Sequence, residues 1–139
     1  MWEGEGLITD LTEDDCWAML RDNELGRIAM HAADQVDIFP INYLADDRSI
    51  LVRTAPGTKL MEIAVNSGVA FEIDGFSDTD AWSVVVKGTA RRLETQSEID
   101  AADALPLVPW IPTLKYDYVR IQPTEVHGRQ FARGPEPER

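Results

Sequence analysis

The segment Arg53-Thr54-Ala55-Pro56-Gly57-Thr58-Lys59 gathers two cations, two hydroxyls and a Pro-Gly turn. It follows a strand-like run, Ser49-Ile50-Leu51-Val52, and opens a helix pattern over residues 59–66, with Leu60, Ile63 and Ala64 at helical spacing. A helix start leaves backbone N–H groups unpaired and carries partial positive charge, which suits a phosphate. The same residues also make an ordinary turn with Thr58 as N-cap. In the P-loop pattern Lys directly follows Gly and precedes Ser or Thr. Here the order is Gly-Thr-Lys, which disfavours nucleoside triphosphate hydrolysis.

Other reactive side chains are few. The single cysteine, Cys16, lies beside Trp17 in an amphipathic helix pattern and reads as a buried small residue. One cysteine allows neither an intrachain disulfide framework nor a Cys-based zinc site, and no metal site is expected. His31 and His127 stand alone. Tyr43, Tyr116 and Tyr118 could donate a proton but fit core or interface positions, so no catalytic residue is assigned.

The 139 residues fit one domain, and 44% apolar with 27% charged residues is the balance of a folded globular chain. A formal charge of −12 repels nucleic-acid backbones and anionic membranes, so an anionic ligand must be held by a local cationic cluster. No apolar run reaches the roughly 20 residues of a bilayer span, and no signal-peptide core opens the chain; a cytoplasmic location is expected.

Strands are expected at residues 27–32, 36–44, 49–53, 69–74, 82–93 and 116–121, the last ended by Pro123. Helices are expected from Thr12 to about Arg21, over 59–66 and over 97–104. The prolines of residues 105–112 favour an extended crossing segment. The fold class is therefore mainly β, an antiparallel six-stranded barrel with a few short helices. Its core would be residues 12–130, between a flexible segment 1–11 and a disordered tail 131–139. Pro40 inside a good strand marks an edge, a bulge or a gap where a flat ligand could meet backbone groups.

Five motifs in order, Phe39-Pro40-Ile41-Asn42-Tyr43, the loop from Arg53 to Leu60, Trp82-Ser83-Val84-Val85-Val86-Lys87-Gly88, Pro109-Trp110 and Val119-Arg120-Ile121-Gln122-Pro123, resemble the pyridoxamine 5′-phosphate oxidase-like family. The resemblance implies a flavin-binding split barrel and a homodimer holding two FMN molecules between subunits. It places Thr54, Thr58 and Lys59 at the phosphate, with Arg53 beside them and Leu60 closing the loop. It sets Phe39, Pro40, Ile41 and Asn42 at the polar edge of the flavin ring and Trp82 and Ser83 near the cofactor. Trp110 would approach from the partner subunit.

The family's Arg- and His-containing substrate motif near the C-terminus is absent, so vitamin B6 oxidation is not expected. The expected function is that of an FMN-binding oxidoreductase of unknown small-molecule substrate. The alternatives are a deazaflavin-dependent reductase, whose coenzyme tail would call on Arg91, Arg92, Arg120 and Arg129, or a non-catalytic FMN carrier or redox sensor. A haem role would need an axial ligand in a recognisable motif.

Overall fold

The computed structural model describes residues 8–32, 34–55, 65–110 and 117–136. Its elements are β1 (Ile8–Leu11), α1 (Glu13–Arg21), β2 (Leu25–Ala32), β3 (Gln35–Asn42), β4 (Leu44–Asp46), β5 (Ser49–Thr54), β6 (Val65–Phe76), β7 (Asp80–Arg92), α2 (Gln96–Asp103) and β8 (Asp117–Ala132).

All strands pair antiparallel in one sheet of order β3-β2-β6-β7-β8-β5-β4, and β1 adds to β8. The two ends of that order, β3 and β4, are joined through Tyr43 alone, so the sheet must curl until its ends meet. β3 and β5 then approach each other without sharing a ladder. The result is a split antiparallel barrel, and the split is this seam.

Local chemistry explains the elements. Thr12 caps α1 by accepting a hydrogen bond from the Asp15 N–H at 3.1 Å, and Glu13, Asp14 and Asp15 complement the helix start. Its buried side chains, Cys16, Trp17 and Leu20, plug the barrel against Ile28, Phe71, Ile73, Val84, Val86 and Ile121. β5 is buried on both faces: Ile50 and Val52 join that core, whereas Leu51 joins Leu93, Ala102, Leu107 and Tyr118 in a second cluster with α2. β7 alternates instead, with Val84, Val86 and Ala90 inside and Lys87, Thr89 and Arg91 in solvent.

Five sequence expectations change. The described residues form eight strands rather than six, because the short β1 and β4 carry too little apolar alternation to stand out. β1 lies in the segment expected to be flexible, tied to β8 in the register Ile8↔Phe131 to Leu11↔Gly128. The final strand does not stop at Pro123. It runs to Ala132, into the expected tail, because a register shift at Lys87/Gly88 leaves Thr124 as an extra residue where proline cannot donate. Residues 77–79 suffice for the loop expected over 75–81. Val65 and Asn66, assigned to a helix, belong to β6, while the rest of that helix lies outside the described residues. Pro40 does lie on an edge strand, β3, as its missing donor requires.

Candidate functional site

The barrel seam holds a cavity of about 360 Å³. β3 contributes Pro40, Ile41 and Asn42 to one wall, and β5 contributes Arg53 and Thr54 to the other. Leu25 lies at the start of β2, and Pro109 and Trp110 close the mouth from the crossing segment after α2. The walls are thus mostly apolar, with one guanidinium, one hydroxyl and one amide. A flat ligand with an anionic end fits that chemistry.

Two hydrogen bonds hold Trp110 over the mouth. Its backbone N–H donates to Asn42 Oδ1 at 2.8 Å, and its indole N–H donates to Glu24 Oε1 at 2.7 Å. The amide of Asn42 also donates to the Glu24 carbonyl at 3.2 Å. Asn42 therefore works as a strut between β3 and the Trp110 segment. Trp110 as a whole remains more than half exposed, at 57%.

Arg53 is placed by sheet register. It sits opposite Tyr118 in the β5–β8 ladder, and its guanidinium carbon lies 5.2 Å from the centroid of that ring. Tyr118 is buried, and its hydroxyl donates to Asp103 Oδ1 of α2 at 2.6 Å. Burial, reinforced by Asp103 and opposed by Arg53, pushes the Tyr118 phenol up to about 12.

A family profile for pyridoxamine 5′-phosphate oxidase matches residues 12–130. The chain belongs to that family. It is similar to a candidate pyridoxamine 5′-phosphate oxidase from Corynebacterium glutamicum, at 44% identity and TM-score 0.86 over 96% of this chain and 100% of that one. It is also similar to the FAD-binding protein of Mycobacterium smegmatis, at 38% identity and TM-score 0.79 over 89% and 98% of the two chains. An uncharacterised Mycobacterium tuberculosis protein is 42% identical over 96 residues, which is 69% of this chain and 87% of the relative.

Of the residues singled out in sequence, this family member brings Pro40, Ile41, Asn42, Arg53, Thr54 and Trp110 to the seam. Phe39 packs against the barrel core. Thr58, Lys59 and Leu60 lie outside the described residues. Trp110 lines a cavity of its own chain, whereas the resemblance would bring it from a partner. Pro109 belongs to the Pro109-Trp110 motif but is not among the residues expected at the site, and Leu25 carries no signal in sequence, since a single apolar residue near a turn looks like any other.

Trp82 and Ser83 go elsewhere. The Trp82 indole covers Gly75, where an added Cβ would lie 2.7 Å from the ring. Ser83 lines a second cavity, about 760 Å³, with His127 and Arg129 of β8 and Asp10 of β1. Here His127 approaches Glu125 at 3.4 Å and Arg129 approaches Asp10 at 3.5 Å. The remaining arginines of the expected basic groove are also paired. Arg91 meets Glu98 at 2.7 Å, Arg92 meets Asp117 at 2.9 Å, and Arg120 meets Asp46 at 3.1 Å and Ser49 at 2.6 Å. Among the described residues, no cluster of His, Cys, Asp or Glu could hold a metal ion. No described helix is long and apolar enough to cross a membrane.

Proposed function

We propose that this chain is a flavin-binding oxidoreductase that holds FMN in the seam of the barrel. The observation that carries the reading is the seam cavity itself, which is lined by Pro40, Ile41 and Trp110 together with Arg53 and Thr54. A phosphate monoester carries about −1.5 to −2 charge near neutral pH, and in a chain of net charge −12 it needs such a local counter-charge. Thr58 and Lys59, next along the chain, add a hydroxyl and a second cation in the proposed phosphate loop.

Bound flavin supplies the hydride or electron chemistry, so the protein's task is to bind, orient and shield the ring. Asn42 and Glu24 serve that task by holding Trp110 in place. The homodimer belongs to the same reading. Ser83 and Trp82 line separate surfaces away from the seam, and a partner chain is the route by which they would reach the cofactor. FMN and FAD share the ring and the first phosphate, and the FAD-binding relative from Mycobacterium smegmatis supports a flavin of either size. A deazaflavin with its acidic tail is disfavoured, because Arg91, Arg92, Arg120 and Arg129 already meet carboxylates.

The test is an absorbance spectrum of the purified protein, followed by titration with FMN, FAD, riboflavin and the deazaflavin coenzyme. Flavin bands, or FMN binding at one per chain and tighter than riboflavin, are expected. Selective deazaflavin binding would overturn the cofactor assignment, and binding of none would overturn the function.

A further inference from the structure

Trp110 is held by hydrogen bonds rather than by burial. It is 57% exposed and follows Val108, itself 71% exposed, on backbone outside any helix or strand. Untethered, an aromatic side chain in such a place turns about its two side-chain torsions. Two tethers divide the work of stopping it. Asn42 Oδ1 takes the backbone N–H at 2.8 Å and fixes where the residue sits. Glu24 Oε1 takes the indole N–H at 2.7 Å and fixes which way the ring turns. The indole has a single donor, so this one bond sets its orientation, and a carboxylate acceptor makes it charge-assisted. Glu24 is itself stiffly mounted. Its backbone carbonyl accepts from the Tyr43 N–H at 3.0 Å and from the Asn42 amide at 3.2 Å. Tyr43 is buried, and its hydroxyl donates to the Leu20 carbonyl at 2.7 Å.

We infer that Glu24 is a positioning residue for the seam: its carboxylate fixes the Trp110 ring as a preformed cover for the flavin, and so sets how fast the cofactor leaves and how well it is shielded. The inference rests on the flavin reading above. Ordering a large side chain at the moment of binding costs affinity, and the tie removes that cost beforehand. An exposed indole also offers a flat apolar face to a flat ring, a packing that aromatic pairs favour. Glu24 precedes Leu25, which lines the cavity, so the tie joins the α1–β2 connection to the mouth. Its 86-residue separation from Trp110 hides the pair from any local reading of the chain.

The test follows FMN on the purified protein by its rate of release and by the emission of the bound flavin, which a contacting indole quenches. Glu24→Ala is expected to speed release about fivefold, the scale of one hydrogen bond, and to brighten the bound flavin. Glu24→Gln keeps an oxygen that accepts the indole N–H, and both readouts should stay within about twofold of the wild type. Trp110→Phe keeps the backbone tie but has no ring N–H. It should speed release at least as much, and adding Glu24→Ala to it should change nothing further. A readout free of flavin is the Trp110 indole N–H signal in NMR, assigned by its loss in Trp110→Phe. Its exchange with water should be faster in Glu24→Ala than in the wild type or Glu24→Gln. Exchange, release or emission unchanged in Glu24→Ala, or additive losses in the double variant, overturns the inference and leaves the flavin reading standing. A wild-type protein that binds no flavin overturns both.

Discussion

Tyr118 shows how one residue can carry a measurable signature of its surroundings. Its phenol is held above the ordinary value of 10.0, up to about 12, first by burial and then by the hydrogen bond to Asp103. A raised pKa means that the fold favours the protonated phenol, so its stabilising contribution is complete below about pH 10. It is lost as pH rises through the folded value. Urea denaturation between pH 9 and 12 should therefore show the wild type losing stability relative to Tyr118→Phe, with the gap unchanged below pH 9. A constant gap at all pH values would mean that the phenol titrates normally and is not held as described. Tyr43 is shifted in the same direction by burial and is present in both proteins, so the comparison cancels it. Two other residue-scale readings came straight from sequence. Cys16 is fully buried beside Trp17, and Pro40 sits where its missing N–H does least harm.

At the scale of elements, the bulge in β7–β8 is what lets a proline-containing strand reach 16 residues. Gly88 makes this possible. It stands opposite Pro123, and a Cβ there would come within 2.1 Å of the Gln122 carbonyl oxygen, a backbone atom with no rotamer to escape into. Gly88→Ala should cost about 3 kcal/mol in urea denaturation, the upper end for forced overpacking. The same change at Gly68, where a Cβ would meet nothing within 4 Å, is expected to be near neutral. The β4–β5 turn carries its own backbone signature. Asp47 and Arg48 both take positive φ, 46° and 59°, the geometry that a two-residue hairpin demands even without glycine. Arg48 regains support by pairing with Asp14 and lying 5.8 Å over the Trp17 ring, which ties the turn to α1.

The whole molecule presents an unfinished surface. β3 ends the sheet, and Val36 and Ile38 on it are 74% and 67% exposed. A long edge strand with exposed β-branched residues invites pairing or aggregation unless something covers it. A second copy is the cover proposed here, and sedimentation equilibrium should give twice the chain mass. Ile38→Lys should shift the protein toward monomer and weaken FMN binding with it. A dimer that survives this change with full affinity would put the interface on another face.

What the sequence determined by itself is what depends on near neighbours in the chain. Hydrophobic period, capping residues and turn chemistry are local. So α1 was expected to reach about Arg21 and ends there, and α2 was expected over 97–104 and spans Gln96–Asp103. The mainly β, antiparallel character and the five ordered motifs of the family were legible for the same reason. The structure alone decided which of those motifs share a cavity. β3 and β5 meet at the seam because the sheet curls until its ends face each other, and Trp110 is brought to them by long-range hydrogen bonds to Asn42, 68 residues away, and to Glu24. Ser83 is carried to a different surface by the β7–β8 register, and Tyr118 is brought under Arg53 by the β5–β8 register. Registers are set by long-range side-chain packing and by a one-residue bulge, and no local pattern in the chain encodes them.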